Sequence, residues 1–397
     1  TLLERVARVV LPTSLGFQTV YQPGMDLNRE VYDSTGQLAL PRFAAAMDTL
    51  ITPQTSTWHQ MQAEDPSIAE DDEVVLFLDW LNKQIFRRRS RPETNFAYKN
   101  FEVLQSMGAF GTGTMYVQDA RPGIRYIPLH LAEHWLDQGI DGTIDTVFWE
   151  HEYTIRQVRQ RKEWDAKLPD NFKERYKDRP DDKVKVLKVV QPRTDRDVRG
   201  RKNTDMPYSN TVLLVDSGND PTILEESGYR TFPFSVARYV TAPREVYGRG
   251  PAMDALADIN TLQEIRKTML RRGQLAVDPP WLTQDEIGLS AFSTTPGAIL
   301  TGWLGPDGKP RAQPLYAAGD PGIAKETVAE IRKAVNDAFL IYLFQVLEQG
   351  SDRMTATEVM QRAQEKGAML APVGGRLRTE YFFSKVAAAT EIYTHAG

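Results

Sequence analysis

Apolar positions recur along the chain with two different periods, and these divide it into a helical stretch, a strand-rich stretch and a second helical stretch. Leu2 to Val10 reads as a short helix stopped by Pro12. Gly16 to Gly36, rich in Gly, Pro, Asp and Asn, reads as loop. Leu40 to Met61 is helical, with an interruption at Pro53. Ala63 to Glu73 carries six acidic residues and predicts a solvated lead into the next helix. That helix, Val74 to Arg89, places Val75, Leu78, Leu81, Ile85 and Phe86 at helical spacing. Arg87-Arg88-Arg89 closes it. Basic residues suit the negative end of a helix dipole, and a phosphate-binding patch is the other reading. Phe96 to Gly108 is a further helix.

Beyond it the period shortens. Thr114 to Val117, Arg125 to Leu129, Trp135 to Leu136 and Thr143 to Tyr153 read as strands, with Asp141-Gly142 as a hairpin signal. Thr154 is a plausible N-cap for a helix running to Trp164. Val184 to Val190, Thr211 to Val215 and Phe234 to Val240 return to strand, and Arg193 to Lys202 reads as an exposed loop. Pro251 to Leu275 is a long helix ended by Asp278-Pro279-Pro280, and Thr283 to Ala318 is dense in Gly and Pro. Gly322 to Leu347 is a second long helix. Its first half is amphipathic, whereas Phe339 to Phe344 is apolar all round and must be buried on every side. Either this chain's own core or a neighbouring subunit would cover it. Glu348 to Arg353 is a polar loop. The helix Thr355 to Met369 opens on a capping box, Thr355-Ala356-Thr357-Glu358. The fold class is α+β, mainly helical.

Composition narrows the function. At 397 residues the chain is long enough for two or three compact units. With 41% apolar and 25% charged residues it reads as globular. No apolar run approaches the roughly 18 residues of a membrane span, and Thr1-Leu2-Leu3-Glu4-Arg5 lacks the features of a signal peptide. Cysteine is absent, which excludes disulfides, thiol catalysis and cysteine-ligated zinc and fits folding in reducing cytoplasm. A net charge of −5 argues against tight, sequence-specific DNA binding.

The catalytic motifs fail on context. His130-Leu131-Ala132-Glu133-His134 matches an inverted zinc-peptidase pattern, but a strand leads in and a hairpin leads out, where that chemistry needs a helix. Gly111-Thr112-Gly113 follows a helix and lacks the third Gly of a dinucleotide fingerprint. In Gly305-Pro306-Asp307-Gly308-Lys309, Pro310 stands where a phosphate loop needs Ser or Thr. Asp254, Asp258 and Glu264 share a helix without any further sign of a site. These residues predict no enzyme, no metal and no cofactor.

Several strings, taken in order, resemble the head-to-tail connector (portal) proteins of short-tailed double-stranded-DNA phages. They are Asp79-Trp80-Leu81, Thr94-Asn95-Phe96, Phe110 to Tyr116, Tyr247-Gly248-Arg249-Gly250-Pro251-Ala252, Asp254 to Ile259, Met354 to Val359, and Pro372 to Leu377. The resemblance runs over about Leu40 to Glu380. It implies a portal-type fold in a dodecameric ring. The wing would be 1–245, the first stem helix 246–275, the clip 276–318, the second stem helix 319–347 and the tunnel loop 348–354. Residues 355–397 would hold a wing helix and the start of a crown, which is short or lies outside this sequence.

The resemblance further implies a tunnel loop of Glu348, Gln349, Gly350, Ser351, Asp352 and Arg353 facing DNA. Lys267, Arg271 and Arg272 are the basic candidates on the channel helix. Phe339, Leu340, Ile341, Leu343 and Phe344 are the candidates for packing between subunits. Implied partners are double-stranded DNA held non-specifically, the major capsid protein, the terminase large subunit, and tail adaptor or tail tube proteins, with no membrane. The implied place is the portal vertex of the virion, after assembly in host cytoplasm. The alternative is another ring-forming collar or head-tail adaptor protein.

Overall fold

The computed structural model describes residues 1–19, 22, 24–53, 57–120, 123–197, 200, 202–215, 221–283, 304, 308–310, 312–314, 321–342 and 373–395. Helix α1 (Leu2–Val10) is capped by Thr1, whose hydroxyl accepts from the Glu4 N–H. Helix α2 (Thr35–Ile51) begins five residues before the expected Leu40, because the Asp33 carboxylate accepts from the Thr35 N–H and so opens the helix ahead of Pro41. It also ends early, and residues 57–61 are not helical. Pro53 pushes the preceding Thr52 out of the helical region, to φ −127° and ψ 54°. After the short α3 (Pro66–Ala69), α4 (Asp72–Arg89) turns only part of the expected stripe inward. Leu81 and Ile85 are buried, but Val75 is exposed. Helix α5 (Phe96–Phe110) crosses α2 closely. A Cβ on Gly108 would sit 2.8 Å from Leu40 Cδ1 and 2.9 Å from Phe43 Cδ1, so only glycine permits this approach.

Two antiparallel sheets follow. Strands β1 (Thr112–Ala120), β2 (Gly123–Leu129) and, from later in the chain, β8 (Phe234–Arg238) form a three-stranded sheet in the order β2-β1-β8. The second sheet runs β3 (His134–Gln138), β4 (Ile144–Thr154), β5 (Lys183–Pro192), β6 (Tyr208–Leu214) and β7 (Thr222–Tyr229). Strand β7 is absent from the sequence reading, because Glu225-Glu226 breaks its alternation. The β3–β4 turn holds Gly142 at φ +78°, as the Asp141-Gly142 signal requires. Between β4 and β5 lie α6 (Ile155–Gln160), α7 (Lys162–Asp165) and α8 (Asp170–Arg175), with a capping box joining Thr154 and Gln157.

The chain then leaves the sheets through α9 (Pro251–Asp254) and α10 (Leu256–Val277), one expected helix broken at Ala255. Strands β9 (Trp281–Thr283) and β10 (Ala312–Pro314) pair antiparallel. Helix α11 (Pro321–Ala338) stops before the apolar run that the sequence carries through to Leu347. Leu340 adopts φ +58°, a left-handed turn that no straight helix accommodates. A wide π-type turn (Leu377–Phe383) leads into α12 (Ser384–His395).

One large core unites residues from α1, α2, α5, α9, α10 and α11 with the segment 377–389 and one face of the β1–β2 hairpin. Residues 377–395, expected to lead towards a crown, contribute the fully buried Tyr381 and Ala389 to this body. Two smaller cores line the inner face of the five-stranded sheet.

Candidate functional site

The chain enters α9 and α10 through a knot of glycines. Gly111 ends α5 at φ +75°, and a Cβ there would lie 2.2 Å from the Gly248 carbonyl oxygen. A Cβ on Gly248 would lie 2.3 Å from the Gly111 oxygen. Two backbones therefore touch without side chains between them. The Gly248 N–H donates to Thr112 Oγ1 (2.8 Å), and the Leu136 N–H donates to Tyr247 Oη (3.0 Å). Pro251, at the first turn of α9, starts the helical run with its fixed φ. The strings Phe110 to Tyr116 and Tyr247 to Ala252, far apart in sequence, are thus two halves of one joint.

A second anchor joins an N-terminal loop to both long helices. The Asp33 carboxylate is buried, and its Oδ2 meets Arg266 of α10 at 3.2 Å and Arg332 of α11 at 2.7 Å. Its Oδ1 accepts from Thr35. Gln263 completes the clamp, accepting from the Tyr32 and Asp33 N–H groups at 2.6 and 2.8 Å and donating to the Asp33 carbonyl at 2.7 Å. Burial raises the Asp33 pKa, but the bonds from Thr35 and Arg332 outweigh it and hold the group at about 2.

The individual candidates fall as follows. Lys267 is half-buried, 3.8 Å from Glu264 and 5.7 Å over the Tyr32 ring. Arg271 and Arg272 are exposed on the distal half of α10. Phe339 and Ile341 are buried by this chain itself, and Leu340 is half-buried against the same core. Of the two covers the sequence leaves open for this run, the chain's own core takes Phe339 and Ile341, with the Phe339 ring 6.3 Å from Phe43 of α2. Leu343, Phe344 and the loop Glu348 to Arg353 lie outside the described residues, as does the helix from Thr355 to Met369.

The triple arginine divides by depth. Arg87 is exposed, while Arg89 is buried with its guanidinium 4.6 Å over Trp58 and 5.1 Å over Phe96. Arg89 is therefore a core residue and no part of a phosphate patch.

The two motif histidines sit in a turn. His130 Nε2–H donates to the Ser14 carbonyl (3.0 Å), and its Nδ1 accepts from the Ala132 N–H (3.2 Å). His134 Nδ1–H donates to the His130 carbonyl (2.9 Å), leaving Nε2 to accept from Thr114 Oγ1 (2.8 Å). Both imidazole lone pairs are thus engaged within the protein. Burial, against a bond to the His130 backbone, lowers the His134 pKa to about 4, so this ring is neutral at pH 7. Among the described residues no group of three or more His, Asp or Glu is placed to hold a metal, and no helix is long and apolar enough to cross a membrane.

Sequence reasoning missed the polar centre of the main core. Asn100 Oδ1 accepts from Tyr381 Oη (2.7 Å) and Lys385 Nζ (2.8 Å), and its amide donates to Asp48 (2.6 Å) and Thr52 (3.1 Å). Lys385 is fully buried, 3.6 Å over the Tyr381 ring. Burial, reinforced by Arg89 and opposed by Asp48, pushes its pKa well below the usual lysine range. Nearby, Arg238 makes a bidentate pair with Glu380 at 2.6 and 2.7 Å, tying β8 to the C-terminal segment. Spacing gives no signal for partners 142 to 285 residues apart.

Comparison with known proteins gives the family. Two relatives, the portal protein of Salmonella phage epsilon15 and the probable portal protein of Bordetella phage BPP-1, are each 27% identical, over 89% and 90% of this chain. The chain spans 64% of the length of each. Among solved structures, the virion of a native gene transfer agent particle aligns over 90% of this chain and 80% of its own, at 12% identity and a TM-score of 0.38. A family model described as bacteriophage head to tail connecting protein matches residues 1–391, so the chain, with its paired helices and glycine joint, belongs to the head-to-tail connecting family.

Proposed function

We propose that this chain is one subunit of a portal ring at a capsid vertex. Double-stranded DNA would enter and leave through the ring, and terminase and tail proteins would dock on it. The observation that carries this reading is the family match, which runs across α10, the β9–β10 insert and α11. In this reading 246–275 and 319–347 form the stem, 276–318 the clip and 348–354 the tunnel loop. The wing comprises 1–245 together with the C-terminal residues 377–395, which pack into the same core.

The distal half of α10 exposes Leu270, Leu275 and Val277 beyond its contact with α11, a surface suited to the stem of a neighbouring subunit. Arg271 and Arg272 on that half are the candidates for facing DNA. A few cations on a subunit of net charge −5 hold phosphate weakly, as a sliding surface requires. The subunit performs no chemistry in this scheme, and terminase supplies the packaging energy.

Electron microscopy of the purified protein tests the ring. A closed ring with an axial hole is expected, and a monomer at all concentrations would overturn the reading. Deleting Gly350 to Asp352 should leave rings intact and impair packaging or retention of DNA. Particles that fill and hold their genome normally would reduce the segment to an ordinary turn.

A further inference from the structure

The inner face of the five-stranded sheet carries two apolar cores with a polar seam between them. Lys188 of β5 stands in that seam. Its Nζ donates to the Tyr116 and Tyr229 hydroxyls at 2.7 and 2.8 Å, and those hydroxyls are 2.9 Å apart. A cavity of about 320 Å³ opens over the seam, between the β1–β2 hairpin and the face of β4 to β7.

Its chemistry is unusual for a void between sheets. Along β4, alternate residues put Trp149, His151 and Tyr153 on one face. Their rings follow one another at 5.4 and 4.6 Å, and the series continues to Trp164 at 5.9 Å. Arg125 and Arg161 also line the cavity, the Arg161 guanidinium lying 4.2 Å over Trp164. Among the described residues Arg125, Arg161 and Lys188 have no carboxylate within ion-pair distance. The one acid in the lining, Glu225, is already engaged by Trp164 Nε1 (3.2 Å), Asn210 (3.2 Å) and Ser227 (2.9 Å).

Trp149 is 8% exposed, yet its indole N–H has no acceptor. A buried donor without a partner is costly in a folded protein, and Trp149 is one of the residues lining the cavity. The cavity is therefore lined by aromatic rings and by three cations without carboxylate partners, and its one carboxylate is already engaged.

We propose that this cavity binds a single nucleotide, its base stacked on the β4 aromatics and its phosphate held by Arg125, Arg161 and Lys188. Stacking on aromatic rings is tolerant of base identity, and arginine forks match phosphate oxygens. Ligand pockets span about 300 to 1,000 Å³, so 320 Å³ suits one nucleotide unit and excludes a longer one. The same chemistry is offered by a free nucleotide and by a terminal nucleotide of an unpaired DNA strand.

Calorimetry on the purified full chain tests the proposal, with dAMP, deoxyadenosine, inorganic phosphate and a short single-stranded oligo-dA as probes. dAMP is expected to bind saturably, at least tenfold more tightly than deoxyadenosine or phosphate alone. Competition by oligo-dA at equal or lower concentration assigns the site to a strand end, and failure to compete assigns it to the free nucleotide. Arg125→Ala, at an exposed position, and Lys188→Met should each weaken dAMP at least fivefold. Should Lys188→Met fail to fold, Arg125→Ala decides. Absence of saturable dAMP binding, phosphate binding as tightly as dAMP, or an unchanged affinity in Arg125→Ala would overturn it.

Discussion

Asp33 ties three helices together through one carboxylate. It reaches Arg266 and Arg332 on two different helices and opens a third through Thr35. Removing one partner of a buried ion cluster leaves the others facing each other without compensation. A carboxylate held at about 2 instead of 3.8 contributes about 2 kcal/mol at neutral pH. The sign follows from the depressed value. The contribution is complete above pH 3.8 and is lost as pH falls through about 2. Asp33→Asn should therefore lower the unfolding free energy by about 2 kcal/mol at pH 7. Urea titrations should show the gap to the parent protein closing between pH 4 and pH 2. A gap that stays constant over that range would show that the carboxylate charge is not what holds the loop to the helices.

At the scale of elements, the helices and hairpins were legible wherever a local signal sets them. Thr154 with Gln157 starts α6, and Asp141-Gly142 turns β3 into β4. What stayed illegible depends on distant partners. Helix α2 starts where Asp33 accepts from the Thr35 N–H, β7 is held by pairing with β6 despite two adjacent acids, and α11 stops because Leu340 turns left-handed. The paired long helices were visible as a pattern, but their attachment through Gly111 and Gly248 was not, since each glycine is an ordinary turn residue when read alone. Gly111→Ala forces a Cβ to 2.2 Å from backbone that cannot yield. It should cost more than about 3 kcal/mol and depress the melting temperature sharply. Gly273, within α10, has open space around its Cβ position. Gly273→Ala should raise stability by about 0.5–1 kcal/mol. Melting curves for the two variants should move in opposite directions, and a matching loss in both would place the effect in α10 itself and not in the joint.

Across the whole molecule, the main core is sealed by segments from opposite regions of the sequence. Asn100 bonds Tyr381 and Lys385 across 281 and 285 positions, and Arg238 waits for Glu380. This has a consequence for the order of events on the ribosome. At about 5–20 residues per second, the N-terminal helices spend roughly 15 to 60 seconds outside the exit tunnel before the segment that completes their core emerges. Until then the faces of α2 and α5 that await Tyr381 and Phe382 stay open. A nascent chain halted near residue 370 should accordingly be cut by protease within 35–110, and one carrying residues through 395 should resist. Protection of the halted chain would mean that the early helices close on their own. If they do not, the segment 377–395 acts as a latch on the main core, and only a chain translated past that latch can shut away the surfaces of its own first helices.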